Sequence, residues 1–153
     1  MDDISVRLQR LEDVEAIREL KAMYCRAVDQ RDAEAWAGVF TDDAIWEGDR
    51  FGRYEGLDEI REYFEQILEN LTFTIHYVMN PVIRVNGDHA YGTWVLFEPC
   101  TMNQGSVPVW GAGSYEEEYV RTGNGWKIRH IALTSSFWTP YDSGWVMKPM
   151  WDE

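Results

Sequence analysis

Asp29, His76 and Tyr24 are the residues of this chain whose types and setting could together move a proton. A carboxylate that holds one imidazole nitrogen leaves the other free to take or give a proton near neutral pH. A tyrosine hydroxyl beside that pair could donate to a departing hydroxyl or to a developing oxyanion. His76 falls in an alternating run, 72–78, where Thr74, His76 and Val78 share one face and Phe73, Ile75 and Tyr77 the other. It enters a concave pocket if the smaller face points inward. Asp29 closes a helical run, and Tyr24 precedes it by five positions, about 140° around an ideal helix. Both reach one pocket only if the helix ends or deforms between them. Structural readings stand beside these: a core histidine satisfied by backbone, a capping carboxylate, and a tyrosine that continues an apolar stripe.

Other chemistries lack their residues. The three histidines, His76, His89 and His130, have no HExxH spacing or paired carboxylates, so no metal site is predicted. No GxSxG, P-loop or GxGxxG occurs, which leaves serine-nucleophile, nucleotide and dinucleotide chemistry without support, and no cofactor is expected. Cys25 lies in a helical pattern and Cys100 after a strand pattern, without CxxC spacing; two buried, reduced thiols are expected.

The elements that must position the candidate residues can be read from periodicity. Leu8, Leu11, Val14, Ile17, Leu20, Tyr24 and Val28 have the three-and-four spacing of an amphipathic helix. A second helix is predicted over 33–40 with Asp32 as N-cap, a short strand over 44–47, a loop punctuated by Gly48, Gly52 and Gly56, and a third helix over 57–69. Alternation then predicts strands over 72–78, 82–85, 90–98, 107–120 and 126–138, divided by Asn86-Gly87-Asp88 and Thr122-Gly123-Asn124-Gly125. Three helices followed by long strands must cover one face of a bent sheet. Gly92, Gly111 and Gly113 within strand patterns would permit the bend.

With 153 residues the chain is of single-domain size. The 8 Trp, 8 Tyr and 6 Phe exceed what an aliphatic core needs and point to an aromatic-lined cavity or interface. A net charge of −13 argues against nucleic acid, whose binding requires clustered Lys and Arg. The N-terminal residues lack the pattern of a secretory signal and no run is apolar over the roughly 20 residues that span a bilayer, so a cytoplasmic location without membrane contact is expected. The segment 139–153, with Tyr141, Trp145, Val146, Met147, Met150 and Trp151, is expected to pack on a pocket mouth or a neighbouring subunit.

Four segments in order, LKAMYCRAVDQRD, AIWEGDRFGRYEGLDEI, TIHYVMNPVI and YEEEYVRTGNGWKI, resemble the SnoaL-like branch of the nuclear transport factor 2-like superfamily over nearly the whole chain. Within it the likeness is to lindane dehydrochlorinase, through TIHY, the YEEEYVRTGNGWK hairpin and FWTP, and to bile acid 7α-dehydratase, through LKAMYCRAVD. The resemblance implies a cone-shaped α+β barrel, a strongly curved, mostly antiparallel mixed sheet with three N-terminal helices closing an apolar pocket. It implies an Asp–His dyad of Asp29 and His76 in a homodimer or homotrimer that works without cofactor. Tyr24 matches the dehydratase's catalytic tyrosine and stands at the dehydrochlorinase's lysine position. The dehydrochlorinase's arginine position falls on Ala132, and the dehydratase's second tyrosine and late arginine fall near Gly48 and Ser135.

On this reading Trp46, Trp94, Trp110, His130 and Phe137 line the pocket around a hydrophobic, cyclic small molecule. His76 takes a proton from carbon, Asp29 orients the ring and Tyr24 assists departure of hydroxide or halide. Isomerase or cyclase chemistry, and a noncatalytic ligand-binding or oxygenase-small-subunit-like module, are the alternatives.

Overall fold

The computed structural model describes residues 3–151. Helix α1 spans Ile4–Asp29 and buries Ile17, Leu20, Lys21, Tyr24, Cys25 and Val28 along one stripe. In its first turns Leu8 and Leu11 are exposed rather than buried as their spacing predicts. Helix α2, Ala33–Ala37, starts where Asp32 accepts from the Ala35 N–H at 2.9 Å. It ends before Phe40, because that residue opens strand β1, Phe40–Gly48. The expected glycine-rich loop contains a short strand, β2 (Gly52–Glu55), and helix α3 follows over Leu57–Asn70. Strands β3 (Leu71–Thr74), β4 (Tyr77–Asn86), β5 (His89–Met102), β6 (Val107–Thr122) and β7 (Gly125–Pro140) complete the sheet, and a fourth helix, α4 (Gly144–Met147), lies in the tail.

The sheet runs β2-β1-β7-β6-β5-β3, with β4 also on β5. Of these strand pairs β1/β7 is parallel and the others are antiparallel. The sheet curves strongly into a half-barrel, and α1, α2 and α3 cover its concave face. Two β-bulges between β6 and β7 leave Arg129 and Ser136 without opposite partners, which bends β7 and reverses the facing of its side chains. Gly111 and Gly113 serve close approach. A Cβ at Gly111 would stand 2.7 Å from the Trp138 ring, and one at Gly113 2.4 Å from the Thr134 carbonyl.

The run expected as one strand over 72–78 is broken at Ile75–His76. β3 and β4 pair with successive stretches of β5, and the break lies opposite Pro99, whose carbonyl accepts from the Ile75 N–H at 3.1 Å. A strand residue sends its N–H and C=O to the same side, so Pro99 offers this edge no donor. The ladder opens there and His76 is released to turn inward.

The core joins α1, α2 and α3 to the concave face through Trp36, Phe40, Phe64, Leu96, Ile128 and Ile131. Burial of each such side chain contributes about 1.5–3 kcal/mol. Within it lies a buried ion pair between Lys21 and Glu117. Tyr119 donates to Glu117, and Trp94 Nε1 donates to the Tyr119 hydroxyl at 2.9 Å. The Lys21 ammonium lies 3.5 Å from the Tyr115 ring centroid and 4.3 Å from that of Tyr24. Cys25 and Cys100 are buried and free. No helix among the described residues is long and apolar enough to cross a membrane.

Candidate active site

Asp29 is the last residue of α1, so the helix ends as the geometry requires and its carboxylate reaches sideways toward the β3/β4 break. Asp29 Oδ1 lies 2.7 Å from His76 Nδ1, and Asp29 Oδ2 accepts the His76 backbone N–H at 3.0 Å. One carboxylate thereby fixes both ring and backbone. Accepting from Nδ1–H, it leaves the Nε2 lone pair available.

The other ring nitrogen faces a second carboxylate that motif reading missed. Glu98, on β5, places Oε2 3.4 Å from His76 Nε2, and Thr74 donates to its Oε1. The His76 and Glu98 side chains are only 7% and 4% exposed. A signal for it existed: positions 90, 92, 94, 96, 98 and 100 of β5 point inward, and Glu98 is the lone acid among Ala, Gly, Trp, Leu and Cys. Burial works against a charge on His76, yet the Glu98 carboxylate and the Asp29 hydrogen bond outweigh it and hold the ring above the usual histidine range. Burial likewise pushes Glu98 above the usual carboxylate range, against the pull of His76 and Thr74.

Tyr24 lines the same chamber, and its hydroxyl accepts from Trp46 Nε1 at 3.0 Å. Burial, only partly offset by that hydrogen bond, raises its pKa far above the ordinary tyrosine value, so it retains its proton. The inner chamber of about 40 Å³ is bounded by Tyr24, Trp46, His76, Glu98, Tyr115 and Leu133. Phe51, Tyr63, Ile67, Leu71 and Trp138 are shared with an outer chamber of about 290 Å³ that reaches Trp151 and Arg50. The tail is tied to this mouth by the Trp138 N–H, which donates to the Pro149 carbonyl at 2.8 Å.

The structure thus brings Asp29, His76, Tyr24 and Trp46 together and sets the other expected pocket residues apart. Trp94 is buried on the concave side against Tyr119, away from the chamber. The bulges correct the placement of His130 and Phe137: both point to the convex face, where His130 Nε2 meets Glu47 at 2.7 Å and Phe137 stacks on Trp145. Trp110 also lies outside, stacked between Phe97 and Tyr141. Ala132 and His130 share that outer face. No group of three or more His, Cys, Asp or Glu among the described residues is placed to hold a metal ion.

A curved sheet that closes over helices, with an acid–base pair at the deep end of its cavity, defines a class. The SnoaL-like domain pattern matches residues 9–132, and the chain belongs to that family. It is 29% identical over 139 residues to an uncharacterized protein of Mycobacterium tuberculosis, covering 90% of this chain and 95% of the relative. It is 27% identical over 135 residues to hexachlorocyclohexane dehydrochlorinase 1 of Sphingobium indicum, covering 87% and 88%. The crystal structure of a type 2 hexachlorocyclohexane dehydrochlorinase superposes with a TM-score of 0.82 at 26% identity, covering 88% of this chain and 92% of that one.

Proposed function

We propose that this protein is a lyase that eliminates a small group from a hydrophobic, cyclic small molecule by acid–base chemistry at Asp29 and His76. The observation that carries the reading is the two-point hold of Asp29 on His76, which orients Nε2 into a chamber walled by aromatic rings. In the reaction His76 Nε2 takes a proton from carbon beside an activating group. Asp29 keeps the tautomer and stabilises the imidazolium, and Tyr24 donates to developing negative charge. Such proton transfer supplies on the order of 10²–10⁴-fold, and orientation in a water-excluding chamber supplies the rest. The relationship to proteins named hexachlorocyclohexane dehydrochlorinases supports elimination and a cyclic, apolar substrate. The test is a screen of cyclic alcohols and halides with wild type, His76→Ala and Asp29→Ala. Loss of turnover in both variants, with unchanged circular dichroism, is expected; turnover retained in both would remove the mechanism.

A further inference from the structure

Arg31 occupies the left-handed region at φ 60°, where Cβ crowds the following carbonyl and glycine is the usual residue. It stands one residue past Gln30, the C-cap of α1. The Arg31 N–H donates to the Val28 carbonyl at 3.0 Å and the Asp32 N–H to the Ala27 carbonyl at 2.9 Å, the paired bonds that close a helix through a left-handed residue. That turn uses backbone alone, and a glycine would form it without strain. What Arg31 adds is its guanidinium. Nη2 donates to the Leu68 carbonyl at 2.7 Å and Nη1 to the Leu71 carbonyl at 2.8 Å.

These bonds tie together the two segments that carry the dyad. Asp29 lies two residues before Arg31, and Leu71 five residues before His76. At one end Asp29 holds the His76 ring and backbone; at the other Arg31 holds the close of α3 and the start of β3. Neither member of the dyad is well held by its own element. Asp29 is the last residue of α1, at the fraying, negative end of the helix dipole, which repels a carboxylate. His76 lies between β3 and β4, off the sheet ladder. The last turn of α3 has no basic residue of its own, so the Arg31 cation complements the negative end of that helix as well. Leu71 lines the chamber beside His76, and the same clamp fixes that wall.

Building on the lyase reading, we propose that Arg31 is a positioning residue whose guanidinium locks the end of α1 to the α3/β3 junction and thereby fixes the Asp29 carboxylate against the His76 ring. It touches no substrate. Its backbone strain is what a side chain costs at a turn that prefers none, and such strain persists where the surroundings hold it in place. Without the guanidinium, α1 still ends at the same turn, but the Asp29–His76 bond opens more often and the ring loses its fixed aim. Reaction geometry is sensitive to this, since a misplacement of about 1 Å lowers rates on the order of 10²-fold.

Arg31→Gly separates this role from the turn, because it relieves the left-handed strain while removing the guanidinium. By proton NMR at one pH, solvent exchange of the His76 Nδ1–H in R31G is expected to quicken on the order of 10-fold, the equilibrium weight of about one hydrogen bond. The Ile128 amide, bonded to the Val39 carbonyl inside the core, is expected to exchange as in wild type. Arg31→Lys leaves the turn as it is and keeps the charge, but reaches one carbonyl at a time, and an intermediate rate is expected. Asn103→Ala removes a side-chain donor from the Glu69 carbonyl at the same end of α3 and is expected to leave the His76 proton unchanged. Unaltered Nδ1–H exchange in R31G and R31K overturns the proposal, as does an equal rise in N103A or a rise matched at Ile128, either of which makes Arg31 a support of the fold alone. On a substrate from the screen of cyclic alcohols and halides, R31G is expected to lose kcat on the order of 10-fold with KM little changed, and undiminished kcat overturns the positioning role. Undiminished turnover in H76Q overturns the lyase reading instead, and the exchange measurement, which needs no substrate, still decides the clamp.

Discussion

His76 carries one ring between two carboxylates, and its titration links chemistry to stability. Burial and, more weakly, Lys21 oppose the charged ring, but Glu98 and Asp29 raise its pKa above the ordinary value. The stabilisation that follows is complete below about 6.5, the unfolded histidine value, and is lost as pH rises through the folded value. Glu98 acts in the same sense, since its folded pKa is also raised. The margin in melting temperature of wild type over H76Q should therefore narrow as pH rises above neutral. A margin that widens would contradict this account. Tyr24→Phe makes a separable prediction. It removes a donor from the chamber and should lower turnover on the order of 10²-fold. It also leaves the buried Trp46 Nε1–H without its acceptor, costing about 1–3 kcal/mol in denaturant titration.

The elements contribute through exceptions to their own periodicity. The β3/β4 break frees His76 because Pro99 has no N–H, and the Arg129 and Ser136 bulges turn β7 so that Leu133 and Trp138 both face the cavity. Gly113 lies beside the second bulge, with the Thr134 carbonyl 2.4 Å from where a Cβ would stand. Gly113→Ala should cost about 1–3 kcal/mol through a forced backbone shift, measured by chemical unfolding. The Lys21–Glu117 pair joins α1 to β6 inside the core. Glu117→Ala would strand a buried ammonium and should cost about 3–5 kcal/mol. Replacing both partners with Lys21→Met and Glu117→Leu should recover most of that loss, and failure to recover would show that the Tyr119 and Trp94 network dominates.

At the scale of the whole molecule, the convex side of β4 and β5 exposes Tyr77, Met79, Val82 and Val95, and the tail exposes Tyr141, Trp145, Val146 and Met147. Monomers seldom leave contiguous apolar area of this kind in water. We propose that copies of the chain cover it, as a dimer or trimer. Light scattering at micromolar concentration should give the mass of two or three chains, and the double variant V82E/V95E should dissociate them; a monomeric wild type would refute the proposal.

Much of this molecule could be read from its residue order. Helical spacing marked α1 through its buried half, Asp32 marked the start of α2, and alternation marked β5, β6 and β7, because these depend on neighbours within a few positions. The resemblance named Asp29 and His76 as partners, and the structure places them 2.7 Å apart. Alternation tells which residues share a face, but not which face is inside, and a single bulged residue exchanges the two. On an unbroken β7 His130 and Phe137 would face opposite ways; the bulge at Ser136 puts both on the outer face, so neither lines the pocket as expected, and Trp110 lies outside with them. Glu98 acquires meaning only when β5 lies beside the β3/β4 break and brings a residue 22 positions away to the imidazole. Local physics determined the elements; the pairing of distant strands decided which of their side chains share the chamber.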